Sequence, residues 1–365
     1  MTESNGVTHV RTAVIRKSLA LRASSGVRFD LKSKTGQRRL HKFEKRLMKK
    51  LFLLSSLFAL AAASAAQSQY PDKPIRIMVP YPPGGAADAV SRDIGAQLTQ
   101  KLGQAIVVEN RSGANGNIGA AACKSARADG YTLCMIYSDI FTINPFVYKN
   151  IPFNVEKDFV PVAGVVNVDV VVLAPTSAKI ARLNGDWHKK SSTLNWSSTG
   201  MGGSSHLLMS KINATFGTSI AHVPYQGGGP AMQSLLSNEA QFSMIGLAQA
   251  LPHITAGKVV PLAVLGDKRS VSAPDVPSIA KAGIDFSGTV WLGLFAPAGM
   301  DPAQILKINH AVNEILEDPK FVAQNLRPGG YTPIAGAPEA LIQRVRRDQK
   351  EWRPLADSLN LGLEK

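Results

Sequence analysis

Only two cysteines stand in the 365 residues, and aromatic residues make up just 7% of them. So few cysteines exclude a disulfide-built scaffold. The lack of Cys-x-x-Cys and of any His/Cys cluster at zinc spacing excludes a structural zinc module. No Gly-Lys-Ser/Thr follows a glycine loop and no Gly-x-Ser-x-Gly occurs. A Walker-type nucleotide loop and a hydrolase nucleophile elbow are therefore absent. The longest apolar run, Leu51 to Ala63, is too short for an ordinary membrane span. Acids are scarce beside bases, 26 against 41, for a formal net charge of +15.

That charge belongs mostly to one end. Met48-Lys49-Lys50 leads into the apolar run, and small residues continue to Ala66. A basic start, a short apolar stretch and an Ala63-Ser64-Ala65 cleavage pattern make residues 48–66 a secretory signal peptide, which directs the chain to the periplasm. Residues 1–47 are polar, with twelve Lys or Arg against three acids. They are expected to be a disordered, non-native upstream extension, with the true start at Met48. Arg38-Arg39 invites a twin-arginine reading, but Leu40-His41-Lys42 fits that motif poorly. Beyond residue 50 the chain carries 27 basic and 23 acidic residues, a net of +4. A nucleic-acid role inferred from the high isoelectric point thus loses its support.

About 300 residues remain, enough for one large or two ordinary α/β domains. Apolar runs at Ile75–Val79, Ala105–Glu109, Thr132–Tyr137, Val160–Val165, Val168–Ala174 and Gln241–Leu247 read as strands. Helical spacing appears near 88–102, 117–127, 204–216, 229–237, 277–282 and from Pro338 to about Leu359. Alternation of this kind predicts parallel sheets covered by helices, with ligands beyond the carboxyl ends of the strands. The apolar runs Val168–Leu173 and Thr289–Phe295 read as two crossings between domains, so that the segment between them is an inserted second domain. Cys123, late in a helix, and Cys134, in the next strand, would be compatible with a disulfide in an oxidising compartment. Spacing does not orient their Cβ atoms, and two separate buried thiols are the simpler expectation.

Tyr81-Pro82-Pro83-Gly84-Gly85-Ala86-Ala87-Asp88 carries the most information. A strand precedes it, and Ala89, Val90, Ile94, Leu98 and Leu102 follow at helical spacing. A helix start presents about four unpaired N–H groups and roughly half a positive charge, and two glycines bring a ligand close to them. The loop suits a small anion such as a carboxylate. The plainer reading is a tight turn with Asp88 capping the helix. Asn195 to His206 repeats the theme, with Ser204 and Ser205 placed to cap a helix or to bind a ligand. Val223 to Pro230 is a third turn that opens a helix, and Tyr225 and Gln226 offer it a hydroxyl and an amide. Gly113-x-x-Gly116-x-x-Gly119 lacks dinucleotide spacing and reads as a structural turn. His206, His222 and His253 are scattered, and Ser204-Ser205-His206 is poor geometry for a nucleophile and its base.

Several segments together resemble a known family. They are Tyr70-Pro71-Asp72-Lys73-Pro74-Ile75-Arg76, Val79 to Asp88, Val107-Val108-Glu109-Asn110-Arg111, Gly116 to Ala120 and Asp129-Gly130-Tyr131-Thr132-Leu133. Ile143-Asn144-Pro145, His222-Val223-Pro224-Tyr225, Leu251-Pro252-His253-Ile254 and Pro274-Asp275-Val276-Pro277 follow in order. The chain resembles the periplasmic solute-binding receptors of tripartite tricarboxylate transporters, the Bug family. The resemblance implies a type II-like, two-lobed α/β binding protein with a hinge of two crossing strands. Each lobe is then a mixed, mostly parallel sheet flanked by helices. Residues 67–168 and 290–365 would form lobe 1, and residues 169–289 lobe 2.

It further implies a monomeric, non-catalytic receptor without metal or cofactor, which captures a di- or tricarboxylate or a related organic acid for inner-membrane transporter subunits. One ligand carboxylate would lie between the Pro-Gly-Gly and Ser-Gly loops. The residues that correspond are Pro83, Gly84, Gly85, Ala86, Ala87 and Asp88, then Ser138 and Asp139. Ser198, Thr199, Gly200, Gly203, Ser204, Ser205, Tyr225 and Gln226 complete the set. Many relatives carry Asp-Asn where this chain has Ile245-Gly246, which points to a non-amine ligand such as a dicarboxylate. A helix expected near 180–192 is shortened and broken by Asn184-Gly185. The rival roles are a ligand sensor for a signalling partner and a periplasmic hydrolase using the same cleft.

Overall fold

The computed structural model describes Lys45 and residues 70–184, 186–286 and 288–359. The expected upstream extension and signal peptide lie outside the described residues, Lys45 apart. In chain order the strands are β1 (Ile75–Val79), β2 (Ile106–Asn110), β3 (Thr132–Tyr137), β4 (Phe159–Val168) and β5 (Val170–Pro175). There follow β6 (Asn195–Ser198), β7 (Ala221–Pro224), β8 (Phe242–Gly246), β9 (Val259–Val264), β10 (Val290–Pro297) and β11 (Tyr331–Pro333). The helices used below are α1 (Ala86–Leu102), α2 (Asn117–Lys124), α3 (Ser138–Thr142) and α4 (Ser204–Phe216). They continue with α5 (Gly228–Leu236), α6 (Leu247–Thr255), α7 (Pro302–Glu317) and α8 (Pro338–Leu359).

The strands form two sheets, ordered β11-β4-β10-β3-β1-β2 and β7-β6-β8-β5-β9. Each is mixed and flanked by helices, one sheet per lobe. Parallel pairing is confined to β3, β1 and β2 in the first sheet and to β7, β6 and β8 in the second. The rest is antiparallel, so parallel pairing is less dominant than the sequence suggests. The reason is connectivity: β4 leaves the first sheet toward the second lobe and β10 arrives from it, so the two neighbours run in opposite directions.

Apolar periodicity explains the packing. Ala87, Val90, Ile94 and Leu98 of α1 fall on one face and are buried against the first sheet. Each such Val, Ile or Leu contributes about 1.5–3 kcal/mol by burial. Gly103 ends the helix in the left-handed region (φ 69°), and its N–H closes on the Thr99 carbonyl. Asp301 caps α7 by accepting from the Ala303 N–H, and Pro302 occupies the first turn. The long α8 buries Leu341, Val345, Trp352 and Ala356.

Other elements depart from the sequence reading. α2 stops at Lys124, and the stretch near 277–282 holds only a 3₁₀ turn, Ala280–Ala282. A 3₁₀ segment, Asp186–Thr193, stands where the broken helix was expected. Cys123 and Cys134 are joined in a disulfide, their Cα atoms 6.1 Å apart. This corrects the expectation of two thiols: α2 packs on β3 and aligns Cβ vectors that sequence spacing leaves undefined.

One residue, Asp169, separates β4 of the first sheet from β5 of the second. Its N–H donates to the Gly330 carbonyl (2.9 Å), and its carbonyl accepts from the Leu247 N–H (2.8 Å). The run Thr289–Phe295 lies largely within β10, between β3 and β4, and the chain returns to the first lobe through the segment before it.

Candidate ligand cleft between the lobes

The carboxyl ends of β1, β3, β6, β7 and β8 open on the space between the lobes, as expected for α/β sheets. A small cleft of about 80 Å³ lies there, with α1, α5 and α6 all beginning at its wall. The first lobe supplies Tyr81, Pro82, Pro83, Gly85, Ala86, Ala87 and Tyr137. The second supplies Thr199, Gln226, Gly227, Gly228, Gly229, Pro230, Gly246 and Gln249. No lining side chain carries a charge. The positive character of the cleft therefore comes from helix N-termini, each equivalent to roughly half a positive charge.

The amides of Ala86 and Ala87 have no acceptor among the described residues, nor do those of Gly228 and Gly229. Gly227 has its own N–H bonded to the Thr199 carbonyl (3.0 Å), which orients the start of α5. Gly85 has an ordinary extended conformation (φ −86°, ψ 174°), and a Cβ there would meet only the Pro82 carbonyl oxygen, 3.9 Å away. Gly84 needs glycine because its φ is +84°. A second cleft of about 240 Å³ adjoins the first and shares Tyr81, Pro82, Thr199, Gln226 and Gly227. Ser112 to Gly116, Tyr148, Gly200, Met201, Pro224 and Tyr225 complete it.

The structure sorts the residues singled out from the sequence. Pro83, Gly85, Ala86, Ala87, Thr199 and Gln226 line the first cleft, and Gly200 and Tyr225 line the second. The others are spent on protein partners. The Asp88 carboxylate accepts from the Gly84 N–H (3.0 Å) and pairs with Arg92 (2.8 Å), so the Gly84 amide and the Asp88 charge each have a partner within the first lobe. Burial opposes ionisation of Asp88, but hydrogen bonds from Arg92, Gly84 and Asn110 hold its carboxyl below the ordinary range. Ser198 Oγ donates to the Gly200 carbonyl (2.9 Å) and lies 2.6 Å from His222 Nε2. Ser205 Oγ accepts from Trp196 Nε1 (3.0 Å). Ser138 is buried between Asp139 and the Trp291 amide. The Tyr225 hydroxyl reaches Glu239 (3.3 Å).

Ser204 and Asp139 take each other. Asp139, at the start of α3 in the first lobe, accepts at Oδ2 from both the N–H and the hydroxyl of Ser204, each at 2.8 Å. A Cβ on Gly203 would stand 3.1 Å from that same oxygen. The first-lobe carboxylate thus fills the N-terminus of α4. Burial pushes the Asp139 carboxyl up, while the bonds from Ser204 and Ser138 pull it down, and the net shift is upward. The lobes also meet where the Tyr148 hydroxyl donates to the Met201 carbonyl (2.9 Å) and where Asn115 approaches Gly200.

Sequence reasoning missed Tyr81, Pro82, Tyr137, Gly227 to Pro230, Gly246 and Gln249 as lining residues. The Gly227-Gly228-Gly229-Pro230 run did carry a signal, since a strand runs through a glycine turn into a helix there as it does at Gly84-Gly85. Tyr81 and Tyr137 meet edge to face, 5.5 Å between centroids. Burial, and then the charge of Asp139, raises both hydroxyls well above the usual tyrosine range. Among the described residues no group of three or more His, Cys, Asp or Glu is placed to hold a metal ion.

Comparison with known proteins places this geometry in a family. Residues 90–361 match the model of the tripartite tricarboxylate transporter family receptor. The chain is 31% identical to Protein BugT of Bordetella pertussis over 313 residues, 84% of this chain and 96% of that protein. Among solved structures, a periplasmic transporter superposes with a TM-score of 0.76 at 32% identity, covering 80% of this chain and 99% of its own. Rpa4515 of R. palustris, solved with adipate, gives 0.75 at 27% identity, covering 79% of this chain and 97% of its own. With its two mixed sheets, its single-residue crossover and a cleft walled by helix N-termini, the chain belongs to the tripartite tricarboxylate transporter receptor family of periplasmic binding proteins.

Proposed function

We propose that this protein is a monomeric periplasmic receptor that binds a small organic acid and delivers it to the membrane subunits of a tripartite tricarboxylate-type transporter. The observation that carries the reading is the pair of glycine-built helix starts, α1 and α5, which face one uncharged cleft from opposite lobes. A carboxylate there receives N–H donors from Ala86 and Ala87 on one side and from Gly228 and Gly229 on the other. Hydrogen bonds to a charged group contribute about 1.5–3 kcal/mol each. Thr199, Gln226 and the Tyr137 hydroxyl, which make no side-chain hydrogen bond among the described residues, are the polar groups that orient the rest of the ligand. Family membership supports the transport role, and the adipate held by the R. palustris relative supports the ligand class.

The protein works as a hinged trap, with 67–168 and 290–365 as one body and 169–289 as the other. Residues 48–66 are the export signal, and 1–47 lie upstream of the true start. The receptor reading is favoured over a hydrolase because Ser198, although it stands at dyad distance from His222, is fully buried and bonded to Gly200. Native mass spectrometry of the purified mature chain, followed by calorimetry with the released acid, tests the proposal. One acid bound per chain and recovered unchanged is expected. Turnover of the acid, or no binding across a panel of organic acids, would overturn it.

A further inference from the structure

Asp139 meets the second lobe through its carboxylate, and no cation pairs with it among the described residues. It is 3% exposed, and its charge is met by the Ser204 N–H, the Ser204 hydroxyl and the N-terminus of a thirteen-residue helix. That is the set of partners a ligand carboxylate would seek at a helix start. The place is contiguous with the cleft: Thr199 lines it, Gly200 and Met201 line its neighbour, and the same loop runs on to Ser204. From the other lobe, Tyr137 lines the cleft two residues before Asp139.

We infer that Asp139 is a specificity-determining residue: its carboxylate occupies the anion position at the start of α4, so that the far end of the ligand, beside Tyr81 and Tyr137, is uncharged. The inference rests on the proposed function and narrows its substrate class to acids that present one carboxylate to α1 and α5 and a neutral tail to the tyrosine pair. The physical cause is repulsion. A second ligand carboxylate on that side approaches an existing negative charge in a cleft lined by no Lys or Arg, and the Ser204 N–H and hydroxyl at the start of α4 are already taken. Discrimination of this kind works by penalising the wrong ligand.

The test is calorimetry of the mature chain with butyrate against succinate and with hexanoate against adipate. In Asp139→Asn, which keeps the shape and removes the charge, the diacid-to-monoacid affinity ratio is expected to rise about tenfold or more, while butyrate affinity stays within about threefold. Ser204→Ala loosens the contact without removing the charge and is expected to leave the ratio where it is. An unchanged ratio in Asp139→Asn, or an equal rise in Ser204→Ala, overturns the inference while leaving the carboxylate receptor intact. Failure of the wild type to bind any of the four acids overturns the receptor reading and this inference with it. Should Asp139→Asn not fold by thermal melt, Asp139→Ser makes the same comparison.

Discussion

His222 Nε2 lies 2.6 Å from Ser198 Oγ, and on its other side the ring stacks on His206 with centroids 3.6 Å apart. His206 Nδ1 accepts from the Gly202 N–H (3.2 Å), which requires a neutral ring nitrogen. Burial lowers His206 from 6.5 to about 4, and burial together with His206 lowers His222 to about 3. The unfolded chain takes up these protons near its ordinary histidine value, and the folded chain resists until well below it. Stability is therefore complete above about pH 6.5 and is lost as pH falls toward 4 and then 3. Urea midpoints followed from neutral pH downward should decline through this window, and His222→Gln should flatten the decline. A midpoint independent of pH over this range would contradict the assignment.

Gly84 and Gly85 are adjacent but should respond in opposite ways to the same substitution. Gly85→Val keeps an allowed backbone and points into open space, so the fold should survive. Binding should weaken by about a hundredfold or more, because a branched side chain displaces the carboxylate from charge-assisted bonds of about 1.5–3 kcal/mol each. Gly84→Val forces a β-branched residue to φ +84° and should cost about 1–2 kcal/mol of stability. Thermal melts and calorimetry on both variants separate the two effects. Undiminished affinity in Gly85→Val would remove the first-lobe loop from the site.

The contrast between these glycines shows what a sequence reveals and what it conceals. The β1–turn–α1 unit was legible throughout: Ile75 to Val79 is a buried run, and Val90, Ile94 and Leu98 recur on one face. The serines of the second loop were not, because a free hydroxyl and a claimed one look alike in sequence. Ser205 is claimed by Trp196 nine residues away, Ser198 by His222 twenty-four away, and Ser204 by Asp139 sixty-five away. The start of α6 was hidden for another reason. Leu247 is as buried as the strand before it, so apolar character continues across the boundary at Gly246.

Removal of the disulfide should be costly despite its short loop. Cys123 and Cys134 are 11 residues apart, and closing a loop of that size restricts the unfolded chain by about 3 kcal/mol. The Cys123→Ala, Cys134→Ala double variant should unfold at correspondingly lower urea. The wild type in a strong thiol reductant should fall to match it. Equal midpoints with and without reductant would show that the bond adds no stability.

Tyr148 offers a probe of closure that leaves the cleft wall otherwise intact. Its hydroxyl bond to Met201 exists only while the lobes are together. Tyr148→Phe should lower the closed population and weaken ligand binding by about fivefold, the equivalent of one hydrogen bond of about 1 kcal/mol. Calorimetry reads the affinity, and small-angle scattering of the ligand-free protein should show a larger radius of gyration. Identical affinity and size would mean that the contact contributes nothing to closure.

The peptide group at Asp169 leaves the crossover with no slack. β4 and β5 meet there as two rigid arms on a single joint, and the carbonyl of that joint is tied to the first amide of α6. Gly246 and Gln249, on either side of that amide, are part of the cleft wall. Axle and grip are thus neighbours along one short stretch of backbone. In the hinged receptor proposed above, a tilt at Asp169 would reach the start of α6 directly, through the bond from the Leu247 N–H.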